Sequence, residues 1–511
     1  MTVAPTQNSL VLVTVDCLRA DHCGFHGYSR PTTPFLDSLA KESFVIPTAV
    51  IAGAPTYHSL PAILASRMPL ALGRDVLGLA PGESTLATAL RQAGYATAAF
   101  SAANPYISAR FGFAQGFEVF QDFLDFDLPA TSLSSSDKEE LPASANRTPD
   151  LHRIRGKVRQ SFSDAARALG FGSIFDELYF QYCLRVAAPR VESIEVLRRF
   201  PSAEMLVDRG ISWLTSVAQR PFFLWLHLMD PHSPYYPPPA ALREFSGREM
   251  SPSRARYLNE FWNRSDPPVS RFEAKKDSIL ELYDAGIRFV DSQVARLVAH
   301  LQRFHLWDRC LFVLTADHGE EFLDHGRRYH APLSIHEEIS HVPLLLRVPA
   351  AAKTDLPAVP FSHLHLAPTL LHILSVPQPS SFHGTSLWRA LERGTPWEDL
   401  AITECIYGCA NPFPVENRMG SRFLGVRDTR YKLVMQIKSD WGADRDEEFY
   451  DLAADPRENH PLPRGTEKNA RKKLMQTAYR HLQQTIDRRD PTLRLRARLR
   501  SLRQGLQSNS R

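Results

Sequence analysis

The sequence predicts an α/β protein in which helices sandwich a large, mostly parallel β-sheet, followed by a smaller C-terminal α+β subdomain. Strand-like and helix-like segments alternate along the chain, as a parallel sheet requires. The apolar runs at 221–229 and 342–348 have the length of buried strands and fall short of the roughly 18 to 20 residues of a membrane-spanning helix. A chain of 511 residues that is 43% hydrophobic is long enough for one large core or two.

The first elements follow a strand, helix, strand order. The helix before Gly94 ends there because glycine is common just past a helix end. From residue 124 to about 199 the sequence becomes polar and irregular, and we interpret this stretch as an insertion or lid. The elements predicted before it are a strand at 9–15, a helix at 33–43, a helix at 84–93 and a strand at 96–101.

Regular patterns return after this insertion. They predict a helix at 203–218, a strand at 222–229, a long helix at 279–303, a strand at 311–314, a helix at 366–374 and hairpin strands at 425–434 and 447–452. We therefore predict a main domain over 1–375, a C-terminal subdomain with a hairpin over 376–463 and a basic tail, helical or disordered, over 464–511.

Charge is unevenly distributed along the chain. The net charge is +4, yet residues 464–511 carry 14 Lys and Arg against 3 Asp and Glu, so the rest of the chain is mildly acidic. This basic tail is predicted either to be solvated or to contact an acidic surface. Residues before Asn8 lack the pattern of a secretory signal, so we expect a cytoplasmic location. The six cysteines are scattered and predict no disulfide framework.

Two predicted strands are followed by residue types that commonly bind metal ions in proteins. Asp16 follows the first strand, and Asp317 with His318 follows the strand at 311–314. The carboxyl ends of parallel strands meet at one edge of the sheet, where ligands bind in open α/β folds. Mixed oxygen and nitrogen donors suit Zn, Mn or similar ions. The alternative is a turn in which Gly319 supplies a special backbone conformation.

Taken together, an ordered series of motifs resembles the sulfatase family of the alkaline phosphatase superfamily. The resemblance covers roughly residues 9 to 460 and implies an alkaline-phosphatase-like fold. The motifs that carry it are Val13 to His22, Thr33 to Asp37, Phe222 to Pro234, Tyr283 to Val294, Thr315 to Glu320, Val342 to Leu344, Gly384 to Leu387, Tyr431 to Leu433 and Tyr450 to Leu452.

The chain departs from the family at the nucleophile. Family sulfatases carry a Cys or Ser that becomes formylglycine, followed four residues later by Arg. Aligning Leu64 to Ser66 with the end of that motif places Thr56 at the nucleophile and Leu60 at the Arg. Threonine cannot become formylglycine, but related phosphodiesterases and phosphoethanolamine or phosphoglycerol transferases use a metal-bound Thr to attack phosphorus. Ser59 is the alternative nucleophile.

The resemblance also implies a metal site and the residues around it. Asp16, Thr56, Asp317 and His318 are the implied ligands of one divalent ion, with Mn or Zn favoured, Mg or Ca possible, and a two-metal site as the alternative. His232 and His330 are the candidates for holding a phosphate oxygen or protonating the leaving group. The candidates for substrate contact are His227, Lys432 and Arg19, the last of which is also a candidate support for the first loop.

Three functions are compatible with these residues. The first is a metal-dependent hydrolase or transferase of phosphate mono- or diesters that works through Thr56. The second is a sulfuric ester hydrolase without formylglycine, and the third is a non-catalytic sulfatase-like binding protein. Retention of four compatible metal ligands argues against the third. The expected substrate is a small-molecule, lipid or sugar phosphate or sulfate ester.

Overall fold

The computed structural model describes residues 8–72, 76–124, 171–184, 191–217, 220–330, 334–406, 422–437 and 445–489. The chain divides into two compact units, one made of residues 1–126, 200–232 and 284–511 and the other of residues 127–199 and 233–283. The strands are β1 (Ser9–Val15), β2 (Phe44–Val45), β3 (Ala49–Val50), β4 (Ala96–Ser101), β5 (Val119–Gln121), β6 (Phe222–Leu228), β7 (Cys310–Ala316), β8 (Glu321–Phe322), β9 (Arg328–Tyr329), β10 (His341–Val342), β11 (Leu344–Arg347), β12 (Phe361–Ser362), β13 (Ala401–Ile406), β14 (Arg422–Arg427), β15 (Tyr431–Ile437) and β16 (Arg445–Asp451).

Helices lie between these strands along the chain and also follow the last of them. None of the helices within the described ranges is long and apolar enough to cross a membrane. They are α1 (Pro34–Leu39), α2 (Thr56–Ala65), α3 (Leu86–Gln92), α4 (Gly172–Tyr182), α5 (Ala203–Val217), α6 (Pro239–Ser246), α7 (Pro252–Trp262), α8 (Val269–Arg303), α9 (Glu337–Ser340), α10 (Leu366–Ile373), α11 (Trp388–Arg393) and α12 (Lys468–Arg489).

The first unit contains a seven-stranded sheet in the order β2-β11-β7-β1-β6-β4-β5. The strands from β7 to β5 run parallel, whereas β11 pairs antiparallel with both β7 and β2. Every residue of β1, β6 and β7 is buried, which explains why these strands are continuous apolar runs instead of alternating patterns. The predicted α/β class with a large, mostly parallel sheet is confirmed.

A four-stranded antiparallel sheet, in the order β13-β14-β15-β16, forms the C-terminal part of the same unit. Helix α12 packs on this sheet, since Leu474, Ala478 and Leu482 join the apolar cluster that contains Leu424 and Leu433. The predicted tail at 464–511 therefore contributes one helix to this core. Residues 490–511 lie outside the described residues, so their contact with an acidic surface stays a prediction.

Most predicted elements lie close to the observed ones, with two differences. The predicted strand at 425–434 is two strands, β14 and β15, because Asp428 Oδ1 accepts hydrogen bonds from the backbone N–H of Arg430 and Tyr431 and forms a turn. Helix α8 begins at Val269, directly after Pro268, earlier than the predicted start at 279.

The second unit is helical in its described residues. Its apolar cluster contains Ile194, Tyr236 and Ala255, and the Arg264 guanidinium lies 4.4 Å from the centre of the Phe180 ring. The predicted insertion at 124–199 falls largely in this unit, and its residues 125–170 and 185–190 lie outside the described residues.

Candidate metal centre and active site

The register of two neighbouring strands brings the acidic residues together. In β1 and β7, which are parallel, Val15 pairs with Ala316, so Asp16 and Asp317 leave the sheet side by side. His318 Nε2 lies 3.7 Å from Asp16 Oδ1 and 3.5 Å from Asp317 Oδ2. Donor atoms of these three fully buried side chains all lie within 4.8 Å of one another. The edge-of-sheet position expected from the strand ends is therefore the position observed.

Helix α2 delivers Thr56 to this cluster as its first residue, and Thr56 Oγ1 lies 3.1 Å from His318 Nε2. The other ring nitrogen of His318, Nδ1, lies 2.9 Å from the Gly319 carbonyl and donates to it, so Nε2 offers its lone pair to the cluster. Gly319 is required by close packing, because a Cβ there would lie 1.9 Å from the Glu338 carbonyl oxygen.

The two carboxylates differ in their electrostatic surroundings. Burial raises the pKa of Asp317, and the charge of Asp16 raises it further. Burial also raises the pKa of Asp16, but the charge of His232, the hydrogen bond to His227 and the charge of His318 together hold it well below its usual range. Asp16 is thus ionised, and Asp317 is a second acid that lacks sufficient positive charge nearby.

Two side chains orient Asp16. His227 Nε2 lies 3.3 Å from Asp16 Oδ2, and its Nδ1 lies 2.8 Å from the hydroxyl of Thr14. Asn104 Nδ2 donates a hydrogen bond of 3.1 Å to the same carboxylate oxygen. The sequence analysis did not identify Asn104. Asn104 follows the end of β4, so the rule that ligands lie at the carboxyl ends of parallel strands, which identified Asp16, applies to it as well.

His330 and His232 lie next to the cluster. The His330 ring centre lies 4.5 Å from that of His318 and 5.1 Å from that of His232. His330 Nδ1 is held 3.2 Å from Glu320 Oε1, while Cys17 Sγ lies 3.3 Å from the same nitrogen. Cys17 has a φ of 63°, in the left-handed region that is uncommon for non-glycine residues. The structure thus brings both predicted catalytic histidines to the cluster.

The three residues predicted to contact substrate each have partners within the protein, and their contact with substrate stays a prediction. Lys432 Nζ lies 3.0 to 3.2 Å from Glu337, Ser340 and Glu458, so its three N–H groups are used. The Arg19 guanidinium pairs with both oxygens of Asp21 and also donates to Asp324 and to the Glu320 carbonyl. Both nitrogens of His227 are engaged, and Nε2 supports Asp16.

The two candidate nucleophiles have different surroundings. Thr56 Oγ1 contacts His318, whereas Ser59 Oγ lies three residues further along α2, is buried and forms no hydrogen bond with any described residue. These contacts favour Thr56 as the residue that meets the cluster.

The cluster fits a divalent cation. Within the described residues Asp317 Oδ2 is buried and accepts no hydrogen bond, and a cation would offset the repulsion between Asp16 and Asp317. Asp16, Asp317, His318 and the Thr56 hydroxyl supply three oxygens and one nitrogen, as Zn or Mn accepts. Cys17, His318 and His330, and also Asp16, Cys17 and His232, form overlapping donor groups, so a single metal stays a prediction.

Comparison with curated proteins gives several sulfatases. The chain is similar to N-acetylglucosamine-6-O-sulfatase of Bacteroides thetaiotaomicron, at 31% identity over 204 residues, which are 38% of this chain and 34% of that protein. It is similar to arylsulfatase K of Bos taurus, at 26% identity over 207 residues, 35% of this chain and 37% of that one. These matches span about a third of each relative's length. Arylsulfatase of Clostridium perfringens matches at 22% over 480 residues, covering 88% of this chain and 89% of the relative.

Solved structures show the same fold at lower identity. The phosphonate monoester hydrolase SpPMH from Silicibacter pomeroyi has a TM-score of 0.63 at 19% identity, covering 95% of this chain and 97% of that one. A protein solved in complex with its substrate D-glucosamine-2-N,6-O-disulfate has a TM-score of 0.62 at 18% identity, covering 94% and 99%.

Family models match in two overlapping regions. Residues 327–487 match the model described as N-sulphoglucosamine sulphohydrolase, C-terminal. This range includes the C-terminal sheet and most of α12. Residues 8–376 match the model described as Sulfatase. Because that match covers well over half of the 511 residues, the protein belongs to the sulfatase family.

Proposed function

We propose that the protein is a metal-dependent esterase that attacks phosphate mono- and diesters with the Thr56 hydroxyl. The observation that carries this proposal is the contact of 3.1 Å between Thr56 Oγ1 and His318 Nε2, within a cluster that also contains Asp16 and Asp317. Neither Cys nor Ser, the precursors of formylglycine, stands at this position of the motif. An unmodified alcohol at a cationic site suits attack on phosphorus.

Asp16, Asp317, His318 and Thr56 are the residues that hold the metal ion in this proposal. When bound, the ion lowers the pKa of the Thr56 hydroxyl and offsets negative charge on the ester oxygens. Thr56 Oγ releases its proton to water and forms a bond to phosphorus while the bond from phosphorus to the leaving-group oxygen breaks. Water then attacks the phosphorus bound to Thr56, which releases phosphate from a monoester, or a phosphate monoester from a diester, and restores the hydroxyl. An alcohol in place of water would make the same chain a transferase.

His330 is the proposed proton donor to the leaving group. Glu320 Oε1 lies 3.2 Å from Nδ1 and fixes the ring, so Nε2 is the nitrogen left to face the substrate. Burial raises the pKa of Glu320, but the charge of His330 and its hydrogen bond lower that pKa overall, so the carboxylate stays ionised.

The start of α2 offers further stabilisation of negative charge. Thr56 and Tyr57 open this helix, so their backbone N–H groups lie in its first turn, at the positive end of the helix dipole. An anionic ester bound to Thr56 would meet these groups directly. The placement of the nucleophile at a helix N-terminus therefore supports an anionic substrate.

Sulfate ester hydrolysis is the second candidate, and the relatives favour it. The named curated relatives are sulfatases, and one neighbour of the same fold was solved with a sulfated glucosamine as its substrate. A neighbouring phosphonate monoester hydrolase supports phosphorus chemistry on this fold. A sulfate monoester carries less negative charge than a phosphate monoester, so an assay with both kinds of ester distinguishes phosphoester hydrolysis from sulfate ester hydrolysis.

The test compares p-nitrophenyl phosphate, bis-p-nitrophenyl phosphate and p-nitrophenyl sulfate as substrates, each with Mn, Zn, Mg or Ca. We expect phosphoester turnover that is lost in Thr56→Ala, partly kept in Thr56→Ser and unchanged in Ser59→Ala, which serves as the matched control on the same helix. Sulfate turnover that survives in Thr56→Ala and disappears in Ser59→Ala would overturn the proposal and identify Ser59 as the nucleophile.

A further inference from the structure

Helix α4, in the second unit, presents a row of large apolar side chains to solvent. The four side chains of this row are between 53% and 66% exposed, and they are Phe171, Ile174, Leu178 and Tyr182. Their spacing of three, four and four residues places them on one face, because an α-helix completes a turn every 3.6 residues. Exposed apolar side chains that lie singly need no explanation, whereas a continuous row of them marks an interaction surface.

The other side of α4 attaches the helix to the rest of the second unit. The centre of the Phe180 ring lies 6.0 Å from that of Tyr257 and 6.2 Å from that of Phe261, both in α7. Glu177 Oε2 accepts hydrogen bonds of 2.7 Å from Arg264 and 3.2 Å from Arg271. Because Phe180 lies about 200° around the helix from the centre of the apolar face, these contacts hold that face away from α7 and α8.

The charge of this helix favours a protein partner over a lipid surface. Residues 171–184 contain no Lys or Arg, and their charged residues are Asp176 and Glu177. A helix that lies on a membrane carries Lys or Arg beside its apolar face, and an anionic bilayer repels acidic residues. The face itself is uncharged, so its partner must be an apolar surface of similar length.

The order of side chains along the face is the same in both directions. An aromatic residue stands at each end, at Phe171 and Tyr182, and an aliphatic residue occupies each inner position, at Ile174 and Leu178. When two copies of α4 pack antiparallel around a two-fold axis, Phe171 meets the partner's Tyr182 and Ile174 meets the partner's Leu178. A two-fold contact requires a face that is complementary to itself, and this order of residues meets that requirement.

We propose that the protein forms a reversible dimer in which α4 packs antiparallel on α4 of a second copy. Four side chains that are each more than half exposed offer on the order of 400 Å² of mostly apolar surface per copy. Two such faces bury about 800 Å² in total, less than the roughly 1,200 to 2,000 Å² of a stable complex. The dimer is therefore weak, and its population depends on protein concentration.

The test is sedimentation velocity of the full-length protein from about 1 μM to about 200 μM, a range in which a weak complex dissociates. A reductant is present throughout, because Cys183 directly follows α4. We expect the sedimentation coefficient to rise with concentration in the parent. It should stay at the monomer value in Leu178→Glu and in Ile174→Lys, since each change places an unpaired charge in the contact. The matched control is Phe304→Glu, at an exposed phenylalanine outside α4, which should leave the dimer intact.

Mixing the two charged variants tests the antiparallel register. An equimolar mixture of Ile174→Lys and Leu178→Glu should form a dimer at least about 10-fold tighter than either variant alone, because antiparallel packing brings the new ammonium against the new carboxylate. This recovery also shows that both variants are folded. A mixture that stays monomeric would overturn the antiparallel contact.

Two further outcomes would overturn the proposal. One is a parent that stays monomeric over the whole range, or a dimer that Leu178→Glu leaves intact. The other is co-sedimentation of the parent with phosphatidylserine vesicles that Leu178→Glu abolishes, which would identify a lipid surface as the occupant of this face. All of these measurements are made without metal or substrate, so failure of the Thr56 mechanism would leave them unchanged.

Discussion

The first unit contains two kinds of buried charged groups, and they differ in how their charges are balanced. Around Thr56, the acids Asp16 and Asp317 lie side by side, and Asp317 Oδ2 has no hydrogen-bond partner among the described residues. Around Lys432, by contrast, each acid has a cation. Glu337 pairs with Arg427 and Lys432, and Lys432 also pairs with Glu458.

A further buried acid, Glu404, resembles the group around Lys432 in having cations beside it. Arg422 and His481 each donate to its Oε1 over 2.7 Å, and the Leu70 backbone N–H donates to Oε2 over 3.0 Å. These pairs connect strands β13 and β14 with helix α12 and with the segment that follows α2. The comparison teaches that charge balanced by the protein stabilises the fold, whereas charge left unbalanced marks a site for an added cation.

The largest effect is expected from Asp317→Asn, which tests whether Asp317 is a metal ligand or a structural acid. We expect phosphoester turnover to fall by roughly 10³-fold, because loss of a ligand removes several kcal/mol of charge stabilisation in the transition state. Stability of the chelated protein should not fall, because burial and the charge of Asp16 raise the pKa of Asp317 and make its ionised form costly. Steady-state kinetics and urea unfolding measure the two effects. A large loss of stability would show that Asp317 is a structural acid.

Lys432→Met tests the balanced group in the opposite direction. We expect a loss of about 3 to 5 kcal/mol in the free energy of unfolding, because Glu337 and Glu458 would remain buried without this cation. Chemical denaturation measures it. Lys473→Met is the matched control, since the pair of Lys473 with Asp428 is half-exposed and should contribute less than about 1 kcal/mol. Unchanged stability with a raised KM would identify Lys432 as a substrate contact.

His227→Gln tests whether a residue at the edge of the metal centre supports metal binding without being a ligand. His227 holds Asp16 without being a ligand, so its loss should weaken metal binding about 10- to 100-fold and leave the fold intact. Calorimetric titration of the chelated protein with Mn or Zn measures the affinity. An unaltered affinity together with a higher KM would indicate that His227 contacts the substrate, as the sequence alone suggested.

The smallest expected effect concerns Glu404 and pH. Burial raises the pKa of Glu404, but the charges of His481 and Arg422 lower it well below its ordinary value. A lowered folded-state pKa adds stability above the unfolded value of about 4.3, and this stability is lost as the pH falls through that range toward the folded value. Between pH 7 and pH 4, Glu404→Gln should therefore lose roughly 1 kcal/mol less in unfolding free energy than the parent. Equal losses in urea titrations would contradict the pairing.

Local pattern determined much of the fold and the centre of the site. The limits of β1 and β4 are those predicted, because a strand buried on both faces is a run of mostly apolar residues. Asp16, Asp317 and His318 were accessible to sequence reasoning for the same reason. They follow strand ends directly, and parallel register then fixes their neighbours.

Only the tertiary structure decided which charged side chains meet. The motif that contains Lys432 is the same whether the ammonium faces a substrate or Glu337. The sequence around Arg19 likewise does not indicate whether its guanidinium faces a substrate or pairs with Asp21 and Asp324. Asn104 acquires its role from Asp16, at the end of a strand distant in sequence. Periodicity records which face of an element is buried, but the pairing of charges depends on how far-apart segments pack, and that information is not local in the sequence.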